Sequence, residues 1–286
     1  MEYLMTYGWA ILIIAVVLGA LFSLGVFNGA NFAPKAPPGA CQVFRPNGPG
    51  STSFINLEGV CSGELPEYVG KFDGSGTDYI NIGYGTGLHP TTITMVEWVD
   101  MYTEASANGW QWRSLGTLDC SQSYCGYGIQ LGSDELDAVY GDGSTTFNEY
   151  RSSAFGLNSW HMLAVTYQQN GVTNGYIDGK LVYGPYGVGT LDPGSNSGFQ
   201  IAGPDTVGNG VNGLLANIQI YNAALSANEI QALYQEGIGG APIDILNLTG
   251  WWPLNGNAND YSGNMNNGVP NNVVYTGSWE SGYTAP

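Results

Sequence analysis

Residues 159–184 read SWHMLAVTYQQNGVTNGYIDGKLVYG, and this stretch decides the fold of the larger part of the chain. Apolar and polar side chains alternate along it, and the dipeptides Asn174-Gly175 and Asp178-Gly179 interrupt the alternation. A period of two indicates β-strands, and Asn-Gly and Asp-Gly are typical of tight hairpin turns. Residues 93–102 and 216–224 alternate in the same way. The sequence therefore predicts antiparallel β-structure.

Composition limits the classes of function. The 286 residues include 44 Gly and 19 Tyr, and 23 acidic residues against 6 basic ones give a formal net charge of −17. Because so few basic residues are available to neutralise phosphates, we expect no nucleic-acid partner. Low charge with abundant Gly and Tyr fits an extracellular β-protein better than a cytosolic enzyme.

The first 27 residues differ from the rest of the chain. Residues 3–27 form an uncharged apolar run, and Glu2 is the one charge before it. A helix of that length reaches about 37 Å, enough to cross a bilayer core of about 30 Å. We therefore expect a long hydrophobic helix over residues 1–27, a proline-containing linker over 28–40 and a β-head over 41–286.

Three interpretations of this N-terminal segment are open. A secretory signal peptide lacks support because no Lys or Arg precedes the apolar run. A plain membrane anchor explains the length. In the third interpretation, Glu2-Tyr3-Leu4 and the helix after it resemble archaeal type IV pilins.

The pilin resemblance implies a helix that waits in the membrane and then packs with its copies into the core of a filament. Small residues such as Gly8 and Gly19 would allow close helix packing, and Glu2 beside Tyr3 would set the stagger between subunits. The implied partner is the chain itself, in a helical homopolymer at the cell surface.

One short helix is predicted in the head, from Ser226 to about Glu236. Ser226 and Glu229 have the spacing of a capping box, and Ile230 and Leu233 form an apolar stripe.

Four ordered pieces then resemble the laminin-G-like, concanavalin-A-like jelly-roll sandwiches: residues 70–83, 92–102, 159–184 and 213–237. The resemblance implies a mainly β fold. In it, the long N-terminal helix is followed by a single sandwich of two antiparallel sheets with a short helix near its C-terminal end.

One piece is out of order. Residues 250–268, GWWPLNGNANDYSGNMNNG, look like the opening strand of such a domain, yet they follow its closing helix. They would fold back into the first-strand position, begin an absent second domain, or complete the sheet of a neighbouring subunit. We favour the first, because Trp251 and Trp252 need burial.

Four cysteines lie in the head, Cys41, Cys61, Cys120 and Cys125. Three pairings are possible, of which the local ones, Cys41–Cys61 and Cys120–Cys125, are favoured. Disulfides indicate an oxidising location outside the cell. Asn247-Leu248-Thr249 is the single glycosylation sequon.

Calcium is the one cofactor that the sequence suggests. Residues 260–264, DYSGN, resemble an Asp-x-Ser-Gly-Asn stretch near an ion in related sandwiches, which implies Asp260 and Asn264 as ligands. Carboxylate and carbonyl oxygens are the ligands that Ca²⁺ prefers.

Catalysis has less support. Some related sandwiches cleave glucans with Glu-x-Asp-x-x-Glu, but here Tyr140 follows Glu135 and Asp137 where the acid should be. His161 reads as a strand residue, so a Ser-His-Asp site has little support. We expect no enzyme.

The main interpretation is therefore a filament subunit whose head is exposed for adhesion. The alternative is a membrane-anchored, monomeric, lectin-like surface protein that binds glycans, with Trp110, Trp112 and the many tyrosines as candidate residues for stacking on sugars.

Overall fold

The structure is a computed structural model of the whole chain. It describes residues 13–18, 41–44, 56–59, 65–85, 87–103, 112–117, 126–132, 134–143, 147–194, 198–203 and 210–286. The chain divides into two compact units, Met1–Lys35 with Ala285–Pro286, and Ala36–Thr284.

Helix α1 spans residues 13–18, six residues in place of the predicted 27. The predicted long hydrophobic helix is therefore wrong. Four of the six residues are β-branched, and such residues lower helix propensity because their χ1 freedom is restricted. Gly19 follows directly, and glycine is costly in a helix interior. The five Ile, Val and Leu side chains of α1 are 48% to 64% exposed. Neither helix of the described residues has the length and apolar character needed to cross a bilayer.

The larger of two facing sheets has eight antiparallel strands, and its strand order is β12-β11-β10-β5-β14-β3-β17, with β15 also paired to β14. Its strands are β3 (Val69–Asp73), β5 (Ile93–Met101), β10 (His161–Tyr167), β11 (Val172–Ile177), β12 (Lys180–Gly187), β14 (Asn212–Tyr221), β15 (Leu248–Trp252) and β17 (Val274–Thr276).

The second sheet has seven strands in the order β16-β4-β13-β6-β7-β8-β9. Its strands are β4 (Tyr79–Gly83), β6 (Trp112–Thr117), β7 (Tyr127–Gly132), β8 (Glu135–Gly141), β9 (Phe147–Ala154), β13 (Phe199–Ile201) and β16 (Val269–Asn271). A separate hairpin pairs β1 (Cys41–Phe44) with β2 (Asn56–Gly59).

One apolar core lies between the two large sheets and a second covers the outer face of the eight-stranded sheet. Alternation on β5 separates them: Met95 and Val99 contribute to the first core, Val96 and Trp98 to the second. Helix α2 (Ala227–Glu236) buries its apolar stripe in the second core. The predicted β-sandwich head and its capped helix are confirmed.

The out-of-order piece folds back into its own sandwich. β15 pairs with β14 over residues 218–221, while β3 occupies the same edge of β14 over residues 212–215. β16 then pairs with β4 in one sheet and β17 with β3 in the other. The C-terminal segment therefore supplies the strand expected at the start of the fold, as the favoured interpretation predicted.

Candidate functional site

Several residues singled out from the sequence lie outside the described part of the chain. These are Glu2, Tyr3, Gly8, Gly19, Cys61, Trp110, Cys120 and Cys125. Cys41 begins β1 and Trp112 begins β6, and only their backbones are described. Cys41 pairs with Gly59, two positions before Cys61. The disulfides stay a prediction.

Asp260 lies in the loop predicted from the sequence to bind calcium, and hydrogen bonds hold its carboxylate in place. Its Oδ1 accepts hydrogen bonds from the backbone N–H of Trp251 (3.0 Å) and of Ser262 (2.8 Å). Its Oδ2 accepts from the Ser262 hydroxyl (2.8 Å) and the Asn266 N–H (2.9 Å). Four donors already use the acceptor positions of a buried carboxylate, so its donor set fits a loop anchor better than a cation ligand.

Asn264 does not turn its amide nitrogen toward Asp260. Its Nδ2 donates to the carbonyls of Leu248 (3.0 Å) and Thr249 (3.1 Å), which ties the loop to β15. A group of three or more His, Cys, Asp or Glu able to hold a metal is absent from the described residues. Calcium bound by Asp260 and Asn264 stays a prediction.

The glycosylation sequon lies just before β15. Asn247 donates through Nδ2 to Asp244 (2.8 Å), and the Thr249 hydroxyl donates to the Ile220 carbonyl (3.1 Å). Because Thr249 is buried in the folded head, any glycan on Asn247 would have to be added before folding.

The two acidic residues of β8 lie on the face of the strand opposite to Tyr140. Glu135 and Asp137 share one face, and Tyr140 points into the core on the other. Arg151 Nε lies 3.4 Å from Asp137 Oδ2. Tyr140 therefore cannot supply the second carboxylate that a retaining glycosidase needs.

A cavity of about 370 Å³ opens where β8, β10 and the segment after β12 meet. It is lined by Tyr140, Asp142, Tyr167, Val188, Gly189 and Thr190. We call it the tyrosine cleft. Its volume is at the small end of ligand sites, and apolar rings with a few polar groups are the usual lining of such sites.

Two of the lining residues belong to a group of five tyrosines joined by ring contacts, the tyrosine cluster: Tyr140, Tyr150, Tyr167, Tyr183 and Tyr186. The Tyr140 and Tyr167 ring centroids are 4.4 Å apart. Tyr186 lies nearly parallel to Tyr150, at 5.5 Å and 18°, and is 48% exposed. The cluster thus extends from the buried ring of Tyr140 to the exposed ring of Tyr186.

Hydroxyl groups of the cluster hold the loop beside the cleft. Tyr167 donates to the Gly189 carbonyl (2.7 Å), and Tyr140 lies 3.2 Å from the Thr173 hydroxyl. Burial raises the pKa of Tyr167 to about 12 and also raises the pKa of Tyr140. Both phenols therefore stay neutral donors at physiological pH.

Sequence analysis named the tyrosines among the candidate residues for sugar stacking, but it did not identify which of them come together. Their convergence depends on how the two sheets pack face to face. Tyr140 and Tyr186, for example, lie in different sheets.

The comparisons with known proteins agree with this architecture. Residues 73–231, more than half of the chain, match the Concanavalin A-like lectin/glucanases superfamily. The matched range does not include the N-terminal segment that resembles pilins. Aorsin from Aspergillus oryzae (strain ATCC 42149 / RIB 40) is 30% identical over 211 residues, which cover 71% of this chain and 31% of aorsin. The chain thus spans about a third of that curated relative.

Two solved structures are among those similar to this chain. A protein of Bacteroides ovatus ATCC 8483, proposed to bind carbohydrate, has a TM-score of 0.57 at 18% identity and covers 78% of this chain and 66% of its own. The sialidase of Trypanosoma rangeli in complex with sialic acid has a TM-score of 0.45 at 17% identity, over 64% of this chain and 30% of its own. At these identities the likeness concerns the fold alone.

Proposed function

This chain belongs to the Concanavalin A-like lectin/glucanases superfamily, and from that premise we propose that it is a lectin-like domain that binds carbohydrate in the tyrosine cleft. The fold is shared by binding proteins and enzymes, so the activity has to be argued from the site.

The observation that carries the proposal is the layout of the tyrosine cluster. Tyr186 is 48% exposed, so its ring presents apolar surface on which the C–H face of a sugar ring can pack. Within the cleft, Asp142 and Thr190 supply polar groups that can pair with sugar hydroxyls. Apolar stacking with a few placed polar groups is what recognition of a small polar ligand requires.

Charge favours neutral sugars. Asp142 is the one charged residue among the six that line the cleft, and it is acidic. The whole chain carries −17. A sialylated or uronic-acid ligand would meet repulsion there, whereas a neutral hexose would not.

The residues of β8 suit a head that binds a glycoside without cleaving it. Glu135 and Asp137 share one face of β8, but Tyr140, at the position where related glucanases have their second Glu, packs into the core. A glycosidase of this type needs two suitably spaced carboxyl groups that both face the substrate.

The filament role has less support than the lectin-like role. It depended on a long N-terminal helix, and the described helix α1 has six residues. We therefore propose the alternative, glycan binding outside the cell, as the function, in agreement with a family that includes lectins.

A glycan array probed with the full chain tests the proposal. We expect retention on neutral oligosaccharides and weaker retention on their sialylated counterparts. Asp142→Ala and Thr190→Val should each weaken the signal, while Val269→Ala, at a position that is 64% exposed on the far edge strand β16, should not. Absence of binding to any neutral glycan would overturn the proposal.

A further inference from the structure

Ser159, His161 and Asp178 form a chain of two hydrogen bonds at the start of β10. Ser159 Oγ lies 2.9 Å from His161 Nε2, and His161 Nδ1 lies 2.8 Å from Asp178 Oδ2. This is the order and spacing of nucleophile, base and orienting carboxylate in serine hydrolases.

Asp178 determines which ring nitrogen carries the proton. Its carboxylate can only accept from Nδ1, so the neutral imidazole has its proton on Nδ1 and a lone pair on Nε2. Ser159 Oγ–H then donates to Nε2, the direction that a general base requires. Asp178 is itself fixed, because its Oδ1 accepts the Met162 N–H at 3.0 Å.

The hydrogen bonds of Asp178 to Met162 and His161 are enough to connect the β11–β12 turn to β10. The hydrogen bond between the Ser159 hydroxyl and the second ring nitrogen of His161 is not needed for that connection. Asn158, immediately before Ser159, has a left-handed backbone with φ of 56°, which turns the chain just before the hydroxyl. The His161 and Asp178 side chains are 17% and 26% exposed, so a small molecule can reach them.

A second carboxylate lies close to the imidazole. Asp100, on the neighbouring strand β5, is 3% exposed, and its Oδ1 has no hydrogen-bond partner among the described residues. Burial raises the pKa of Asp100 to about 6, and His161 acts in the opposite direction. Negative charge at Asp100 and Asp178 would stabilise the imidazolium that forms when His161 takes up a proton.

We propose that Ser159, His161 and Asp178 form an acyl-transfer site for esters of small carboxylic acids. Ser159 Oγ attacks the ester carbonyl carbon while its proton passes to His161 Nε2. The carbon–oxygen bond to the alcohol breaks, and the alcohol leaves with that proton. Water then attacks the acyl-serine, gives a proton to Nε2, and releases the carboxylic acid as Ser159 regains its hydrogen.

This site is separate from the tyrosine cleft. His161 begins β10 and Tyr167 ends it, so about 20 Å of strand lies between them. Loss of ester hydrolysis would therefore leave carbohydrate binding unaffected, and loss of carbohydrate binding would leave ester hydrolysis unaffected.

A fluorophosphonate probe on the full chain tests the proposal, with labelled peptides identified by mass spectrometry. Ser226 is a matched control in the same molecule, because its hydroxyl bonds to the Glu229 carboxylate and not to a histidine. We expect Ser159 to be labelled at least ~100-fold faster than Ser226, the scale of general-base assistance. His161→Gln should reduce the Ser159 rate to that of Ser226.

Hydrolysis of 4-nitrophenyl acetate supplies the second readout. The full chain should hydrolyse it faster than the Ser159→Ala variant. Circular dichroism checks that each variant is folded, and the comparison of Ser159 with Ser226 needs no variant. Labelling rates within threefold of each other, or hydrolysis unchanged by Ser159→Ala, would show that the three residues only link the turn to the strand.

Discussion

The indole ring of Trp252 lies nearly parallel to the phenyl ring of Phe199, with ring centroids 5.6 Å apart and an interplanar angle of 15°. Trp252 belongs to β15 and Phe199 to β13, so the contact joins the two sheets through the core. The Trp252 indole N–H also donates to the Asn266 carbonyl at 2.8 Å. Strand β15, late in the chain, thus joins the two sheets of a fold in which all other strands except β16 and β17 precede it.

Trp252→Ala should destabilise the head strongly. The side chain is fully buried, and replacement of a buried Trp by Ala costs about 3 to 5 kcal/mol. Urea denaturation followed by circular dichroism measures the loss. Met265→Ala is the control, because Met265 is 70% exposed and should change stability by less than about 0.5 kcal/mol. Equal stability of the two variants would mean that β15 does not complete this sandwich.

Glu97 should make the head less stable as pH rises. It lies fully buried between the sheets, where its Oε1 accepts from the Ser114 hydroxyl at 2.6 Å. Burial raises its pKa from 4.5 to about 8. The folded chain therefore keeps a proton that the unfolded chain loses between about pH 4.5 and 8. Across that window this group lowers the free energy of unfolding by roughly 1.4 kcal/mol per pH unit.

Glu97→Gln removes this contribution. The amide has the shape of the protonated acid, so the variant should gain stability over the parent at pH 8 and lose that advantage near pH 5. Glu280→Gln, at an exposed position, should follow the parent at every pH. Thermal melts across this range provide the comparison, and parallel curves for parent and Glu97→Gln would disprove the effect.

Asp260→Asn should loosen the C-terminal loop without any metal being involved. An amide has one acceptor oxygen, so the N–H and O–H donors now shared between Oδ1 and Oδ2 could not all be satisfied. We expect a loss of about 1 to 3 kcal/mol in unfolding free energy, measured in metal-free buffer.

Thermal melts of the parent and of Asp260→Asn test whether this loop binds calcium. A melting temperature of the parent that rises with Ca²⁺ and falls with a chelator, while Asp260→Asn does not respond, would assign a cation to this loop by mass action. No response in either protein would restrict Asp260 to its role as a hydrogen-bond acceptor.

Local sequence patterns predicted much of the fold. The turn at Asp178-Gly179 and the capping box of Ser226 and Glu229 involve residues close in sequence, and both form as expected. The return of β15 followed from the need to bury Trp252. These features depend on periodicity and burial, which a sequence displays directly.

The N-terminal helix and the candidate sites could not be predicted in the same way. Apolar length indicated a helix of 27 residues, but β-branched residues and glycines oppose one, and α1 covers six. Tyr140 approaches Tyr167 only because the two sheets pack face to face, and His161 approaches Asp178 only because β10 and β11 pair in a particular register. Such contacts depend on tertiary structure, which alternation alone does not specify.

Calorimetric titration of the head with a neutral oligosaccharide selected on the array is the most direct test of the proposed function. We expect Tyr186→Ala to raise Kd at least ~10-fold, a loss of about 1.4 kcal/mol in binding free energy. Tyr84→Ala, an exposed tyrosine beyond the opposite edge of the sandwich, should leave Kd unchanged. Equal affinity of the parent and Tyr186→Ala, or a loss confined to Tyr84→Ala, would contradict binding at the tyrosine cleft.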